Sequence, residues 1–197
     1  MARESALAAN AAGWAIAFER RRRPGARLLV EQKGELTLAA PGGPFILTAN
    51  ADCLEVRGRV ADILDFKTGP PPSKKQVGSH LAPQLTLTAA ILAGGGFPDL
   101  GPVSAGELVY VRVSGGRVPG VEARCDDGDA GDLADEVLAR LYGLVARFDQ
   151  ETTPYKAWTL PQFINRYGGD YDHLSRLWEW HVLGEGFLGE GSAEGKA

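Results

Sequence analysis

The sequence predicts an α/β fold with an αβββαβ core, a mixed central sheet and extra helices toward the C-terminus. Three observations predict it. The opening segment is rich in alanine, a strong helix former. Apolar runs of strand composition then follow one another, separated by Gly- and Pro-rich turns. After them come two segments with helical spacing of apolar residues, with one further strand pattern between them.

Taken in order, residues 5–23 predict a helix whose Trp14, Ala17 and Phe18 share one face, stopped by Pro24-Gly25. Arg27 to Glu31 and Glu35 to Ala39 read as two strands, and Pro41-Gly42-Gly43-Pro44 as a turn. Phe45 to Val56 and Arg59 to Lys67 read as two more strands joined by a tight turn near Arg57-Gly58. Gly69-Pro70-Pro71-Pro72-Ser73 cannot continue a strand, because proline lacks the ladder donor. Pro83 suits the first turn of a helix reaching about Ala93, which buries Leu85, Leu87, Ala89, Ile91 and Leu92 and stops at Gly94-Gly95-Gly96. That glycine run follows a helix and lacks a Gly-Lys-Ser/Thr ending, so it is no phosphate loop.

Glu107 to Ser114 alternates as a strand, with Leu108 and Tyr110 on one face. Asp126 to Asp132 lacks the downstream Glu of a calcium loop and reads as a solvated loop. Leu133 to Phe148 is an amphipathic helix with Leu138, Leu141, Val145 and Phe148 at helical spacing. Trp158, Phe163, Tyr167, Tyr171, Trp178 and Trp180 read first as core or partner contacts and second as a base-stacking set. The expected organisation is one domain over residues 1–183 and a disordered Gly/Glu/Ser-rich tail over 184–197.

At 197 residues, 44% hydrophobic and 23% charged, the composition is that of a soluble globule. No apolar stretch is long enough for a membrane span, and no signal-peptide order is present, so the expected location is cytoplasmic. The two cysteines, Cys53 and Cys125, argue against a disulfide framework or a structural zinc site. His173 and His181 lack an obvious third ligand. A net charge of −4 is awkward for a stand-alone nucleic-acid binder, whose affinity rests on cations against phosphate. Local basic runs remain: Arg20 and Arg21 within Arg20–Arg23, and Lys74 with Lys75. These are the candidate DNA contacts; the plainer reading is a solvated helix end.

The chemistry concentrates at Asp65-Phe66-Lys67-Thr68-Gly69, at the end of an apolar run through Val60, Ile63 and Leu64. On a strand, Asp65 and Lys67 share one face and Phe66 points to the other. Asp52 lies on the preceding run and returns to the same place through a hairpin. Two carboxylates and a lysine are the parts that hold a hard divalent cation and stabilise charge on a phosphate. Alone, an Asp-x-Lys triplet is ordinarily a solvated ion pair worth little.

Asp52, then Ile63 to Gly69, then Pro83-Gln84-Leu85 opening a helix, resembles the PD-(D/E)XK nuclease superfamily, whose fold is restriction-endonuclease-like. It is most similar to the RecB-like nuclease domains, and among them to the C-terminal domain of bacterial AddB-type subunits. Pro72-Ser73-Lys74-Lys75-Gln76-Val77, Glu107 to Val111, and Tyr171 to Arg176 with Glu179-Trp180 extend the match. The resemblance implies Asp52 and Asp65 as metal ligands, with the Phe66 carbonyl completing the coordination. It implies Lys67 at the scissile phosphate or the attacking water, and Gln84 as support from the following helix. A further acid is expected from Glu19 or Glu31, with Glu19 ranked slightly ahead.

The implied activity is Mg²⁺-dependent (or Mn²⁺-dependent) hydrolysis of DNA phosphodiesters, as an exonuclease, in double-strand break repair. The implied partners are single-stranded DNA ends and an AddA-type helicase–nuclease subunit. Two cysteines are too few for the iron–sulfur cluster of some AddB-type nucleases. Cys53 stands where relatives carry Arg, Thr88 where Tyr or Glu is common, and no His precedes His80. The alternative is therefore a catalytically weak or inactive nuclease fold that guides DNA or docks a partner.

Overall fold

In a computed structural model, the described residues are 2–127 and 129–155. The C-terminal aromatic residues, His173, His181, the Tyr171–Arg176 and Glu179-Trp180 motifs, and the 184–197 tail all lie outside the described residues. One compact unit spans Met1–Glu151, and a second begins at Thr152.

The first unit runs α1 (Ala2–Arg22), β1 (Arg27–Leu38), β2 (Phe45–Arg57), β3 (Val60–Lys67), α2 (Lys74–Gly78), α3 (Gln84–Ala93), β4 (Ser104–Val113), β5 (Gly120–Arg124) and α4 (Ala130–Phe148). The five strands form one sheet in chain order. β3 and β4 are parallel and the other neighbours antiparallel, giving the mixed sheet the sequence predicts. The β2–β3 turn is tight, with Gly58 at φ 63. A parallel pair needs a crossover, and α2 and α3 supply it.

The central strands are buried on both faces, which is why they read as continuous apolar runs. Leu54, Ile63, Leu108 and Tyr110 face one way and pack with Leu85, Ile91 and Leu92 of α3 and Ala130 and Ala134 of α4. Cys53, Leu64, Val109 and Val111 face the other way and pack under Phe18 of α1. Trp14 stacks on Phe18 at 5.2 Å between ring centroids. Ala17, expected on the same face, is exposed. Gly120 lets β5 lie against α1, since a Cβ there would come within 2.2 Å of the Trp14 ring.

Four expectations change. The strands at Arg27–Glu31 and Glu35–Ala39 are one strand, β1, because β2 pairs along nearly its whole length. Pro83 is the residue before α3 rather than inside its first turn. α2 and β5 go unforeseen; α2 is set by a capping box between Ser73 and Gln76. The Asp126–Asp132 segment is not all solvated loop. Asp126 is buried, its carboxylate accepting from Leu108 N at 2.8 Å and Arg124 Nη2 at 2.7 Å. Asp129 caps α4, which starts at Ala130.

Candidate active site

β2 and β3 are joined so tightly that their pairing fixes where the carboxylates fall. Cys53 pairs with Leu64 at the end of the ladder, so Asp52 and Asp65 are the next residues on the two strands. The Asp52 carboxylate reaches past the end of the ladder and accepts the Phe66 N–H at 2.8 Å. Alternation along β3 then sets Asp65 and Lys67 on the α3 side and Phe66 on the α1 side. Lys67 Nζ lies 2.6 Å from Asp65 Oδ2. The Phe66 ring meets Phe18 of α1 edge-on at 6.4 Å.

Gln84 is the first residue of α3, where its side chain is free to turn back to the sheet. Its amide donates to Asp65 Oδ1 at 2.5 Å and its carbonyl accepts from Lys67 Nζ at 3.3 Å. Gln84 thus bridges acid and base. Tyr110 of β4 pairs with Asp65 across the parallel ladder, and its ring lies 5.8 Å from Lys67 Nζ. The sequence placed Tyr110 only on a core face, since parallel register cannot be read from one chain.

Asp65 is 3% exposed. Burial raises its pKa above the ordinary value, aided by the Asp52 charge and opposed by Lys67 and Gln84. Its Oδ2 is buried without a directed hydrogen bond, and the Lys67 ammonium is its ion-pair contact. Burial, with Asp65 beside it, pushes the Tyr110 phenol up to about 12, so it stays neutral.

A cleft of about 540 Å³ opens beside this group on the α1 side. Leu28, Val30, Cys53 and Phe66 line it together with Glu19, Arg23, Glu31 and Asp52. Glu31 stands across β1–β2 from Asp52, between the pairs Val30–Cys53 and Gln32–Ala51. It is left-handed, at φ 52, and interrupts the ladder there. Glu31 accepts from Asn50 Nδ2 at 2.8 Å, and Glu19 pairs with Arg23 at 3.8 Å. Among the described residues, no three His, Cys, Asp or Glu side chains are gathered into one metal-binding group.

A two-acid site nevertheless fits a hard cation. Asp52 and Asp65 lie on neighbouring strands at the same end of the ladder, Asp65 Oδ2 is buried with only the Lys67 ammonium against it, and its pKa is raised chiefly by burial, with the Asp52 charge adding to it.

The expected DNA-contacting cations divide. Arg20 and Lys75 are exposed. Arg21 is ion-paired to Glu122 and Lys74 to Asp127. Arg22, in the same run, is 12% exposed in its side chain and lies within 3.5 Å of Glu55, Asp62, Glu107 and Glu122. It locks α1 to the sheet and is removed from any DNA path. Cys53 faces the α1 core, where burial and nearby Glu55 push its thiol up to about 11.

Residues 1–160 match the sequence model of the PD-(D/E)XK nuclease superfamily. An uncharacterized protein of Rickettsia typhi is 37% identical over 84 residues, 42% of this chain and 10% of its own length. One from Rickettsia conorii is 34% identical over 91 residues, 45% of this chain and 11% of its own. The chain thus spans about a tenth of the length of these curated relatives. The crystal structure of SSO0001 superposes with a TM-score of 0.35 at 13% identity, covering 80% of this chain and 66% of that one.

Proposed function

Because the chain belongs to the PD-(D/E)XK nuclease superfamily, we propose that it is a metal-dependent deoxyribonuclease whose working centre is Asp52, Asp65, Lys67 and Gln84. The observation that carries this reading is the bridge from Gln84 to both Asp65 and Lys67, with Asp52 holding the N–H of Phe66 between them. An acid and a base held by one amide at a strand end are a prepared centre rather than a solvated ion pair.

In this reading Asp52, Asp65 and the Phe66 carbonyl hold Mg²⁺, with Mn²⁺ as a substitute. Of the two further acids, Glu31 is better placed than Glu19, because it lies across from Asp52 in the ladder. Such an ion supplies Lewis-acid polarisation of the phosphate and lowers the pKa of water. Lys67 contributes its ammonium to the charge that builds on the phosphoryl oxygens as the nucleophile adds. Gln84 keeps the Lys67 ammonium and Asp65 in one orientation, so little reorganisation is needed when substrate arrives.

The finer proposal is exonuclease action on single-stranded DNA ends, as the nuclease domain of an AddB-type double-strand break repair complex with an AddA-type partner. The motif order carries it. The Rickettsia relatives are compatible, since the matched segment there sits inside a much longer polypeptide. The rival is a guiding or docking module without catalysis. The absence of a three-acid group among the described residues favours it.

The test is titration of Mg²⁺ and Mn²⁺ by calorimetry, beside cleavage of labelled single-stranded DNA with an EDTA control. Metal binding that disappears in Asp65→Ala, with cleavage that disappears in Asp52→Ala, supports the nuclease. Metal-dependent cleavage that survives Asp52→Ala sinks the site assignment. Neither binding nor cleavage, alone or with the partner, leaves the docking reading.

A further inference from the structure

We infer that the cleft beneath the last turn of α1 is a subsite for one unpaired nucleobase, with the Phe66 ring as its stacking platform; this rests on the nuclease reading above. Phe66 is the residue between Asp65 and Lys67, so anything against its ring is one residue from the charged centre. Its neighbour on the same strand face, Leu64, is 1% exposed, whereas Phe66 is 44% exposed. The strand emerges from under α1 at this point, and the ring is presented instead of packed.

The ring is also fixed. Its backbone N–H is held by Asp52 Oδ2 at 2.8 Å, and one edge rests on Phe18. A stacking platform held in place loses little rotamer freedom on binding.

The lining decides the chemistry of the occupant. Leu28, Val30, Cys53 and Phe66 make an apolar floor, of which Val30 is itself 58% exposed. Glu19, Glu31 and Asp52 stand around it with the single cation Arg23. The apolar floor and the exposed ring suit the neutral, flat base rather than a solvated phosphodiester. The strand's phosphates remain outside the cleft. A base in a duplex is stacked and paired and cannot reach such a floor, whereas a base in a single strand presents its face freely. The cleft thereby selects single-stranded over duplex substrate and sets where along the strand the phosphate lies.

The experiment is fluorescence anisotropy in EDTA, so that nothing is cut, with a short oligothymidylate and an abasic oligomer of the same length and charge. Removing a stacking aromatic costs roughly 5- to 150-fold in affinity. Phe66→Ala is expected to weaken oligothymidylate binding by that factor and leave the abasic oligomer unchanged, while Phe66→Tyr binds like the native chain. Phe66→Leu keeps the bulk without the π face and is expected to follow Phe66→Ala, which separates stacking from any folding defect of the smaller variant. Equal loss on both oligomers, or no loss on either, overturns the subsite. Base-dependent binding by a chain that never cleaves would sink the nuclease reading alone. Cleavage without base discrimination would sink the subsite alone.

Discussion

Gln84 donates to Asp65 Oδ1 at 2.5 Å while accepting from Lys67 at 3.3 Å. One neutral side chain therefore sets both charged ones. In the proposed reaction, Lys67 acts on charge present only as the phosphate is attacked. Lys67→Ala should lower the single-turnover cleavage rate by roughly 10²- to 10³-fold with little change in DNA affinity. Gln84→Ala should cost less, because Asp65 still pairs with Lys67. Rates and binding measured side by side check this; a lysine variant that loses affinity and keeps its rate would make Lys67 a binding residue only.

Asp65 carries a pKa raised by burial. Folding therefore favours its neutral form. The stability tied to that form is fully present below the ordinary value of 3.8 and is lost as pH rises through the folded pKa. At neutral pH the ionised Asp65 is a cost, offset in part by Lys67. Asp65→Asn keeps the Oδ1 acceptor for Gln84 and removes the buried charge. It should unfold about 1 kcal/mol later near pH 7, a gain of roughly 2–4 °C in Tm, and this gain should vanish as the pH falls toward 4. Cleavage should be lost. Thermal melts across pH test it; a variant less stable than native at pH 7 would show that the Lys67 pair outweighs burial.

How much was legible follows from which forces act locally. Strand alternation sets Asp65 and Lys67 on one face and Phe66 on the other, and a short turn at Gly58 brings Asp52 back to them. What the sequence concealed depends on partners. Arg27–Glu31 and Glu35–Ala39 read as separate strands, but β1 runs unbroken through Gly34 between them. A Cβ there would come within 2.7 Å of the Phe97 ring, so the glycine permits close packing and not a turn. β5 holds little apolar sequence of its own and exists through its ladder with β4. Asp126 looks solvated because an acidic loop usually is, and only the fold shows Leu108 N and Arg124 waiting for it. The exposure of Phe66 is hidden for the same reason, since it is set by where α1 ends.

Arg22 illustrates a charge with a structural role in a run that looks like a nucleic-acid contact. Its guanidinium lies 3.0 Å from Glu55, whose side chain is 4% exposed, and 3.0 Å from Glu107. Removing a buried partner leaves uncompensated charge and typically costs 3–5 kcal/mol. Arg22→Met should lower the unfolding free energy measured by urea titration by an amount in that range while leaving metal binding intact. If the unfolding free energy changes by about 0.5 kcal/mol or less, Arg57, which reaches Glu55 and Asp62 at 3.3 and 2.8 Å, compensates.

The remaining cations should then divide by whether a carboxylate already holds them. Arg20 and Lys75 are exposed, while Arg21 and Lys74 are paired to Glu122 and Asp127. A phosphate that takes a free cation releases counterions and steepens the salt dependence by about 0.7 per contact on a single strand. A phosphate that takes a paired cation must first displace a carboxylate. Arg20→Ala and Lys75→Ala should each flatten the slope of log affinity against log salt by about that amount. Arg21→Ala and Lys74→Ala should change it less. Anisotropy at several salt concentrations separates the two groups. Equal slope changes in all four variants would mean that the ion pairs open when DNA binds and the basic run acts as one surface.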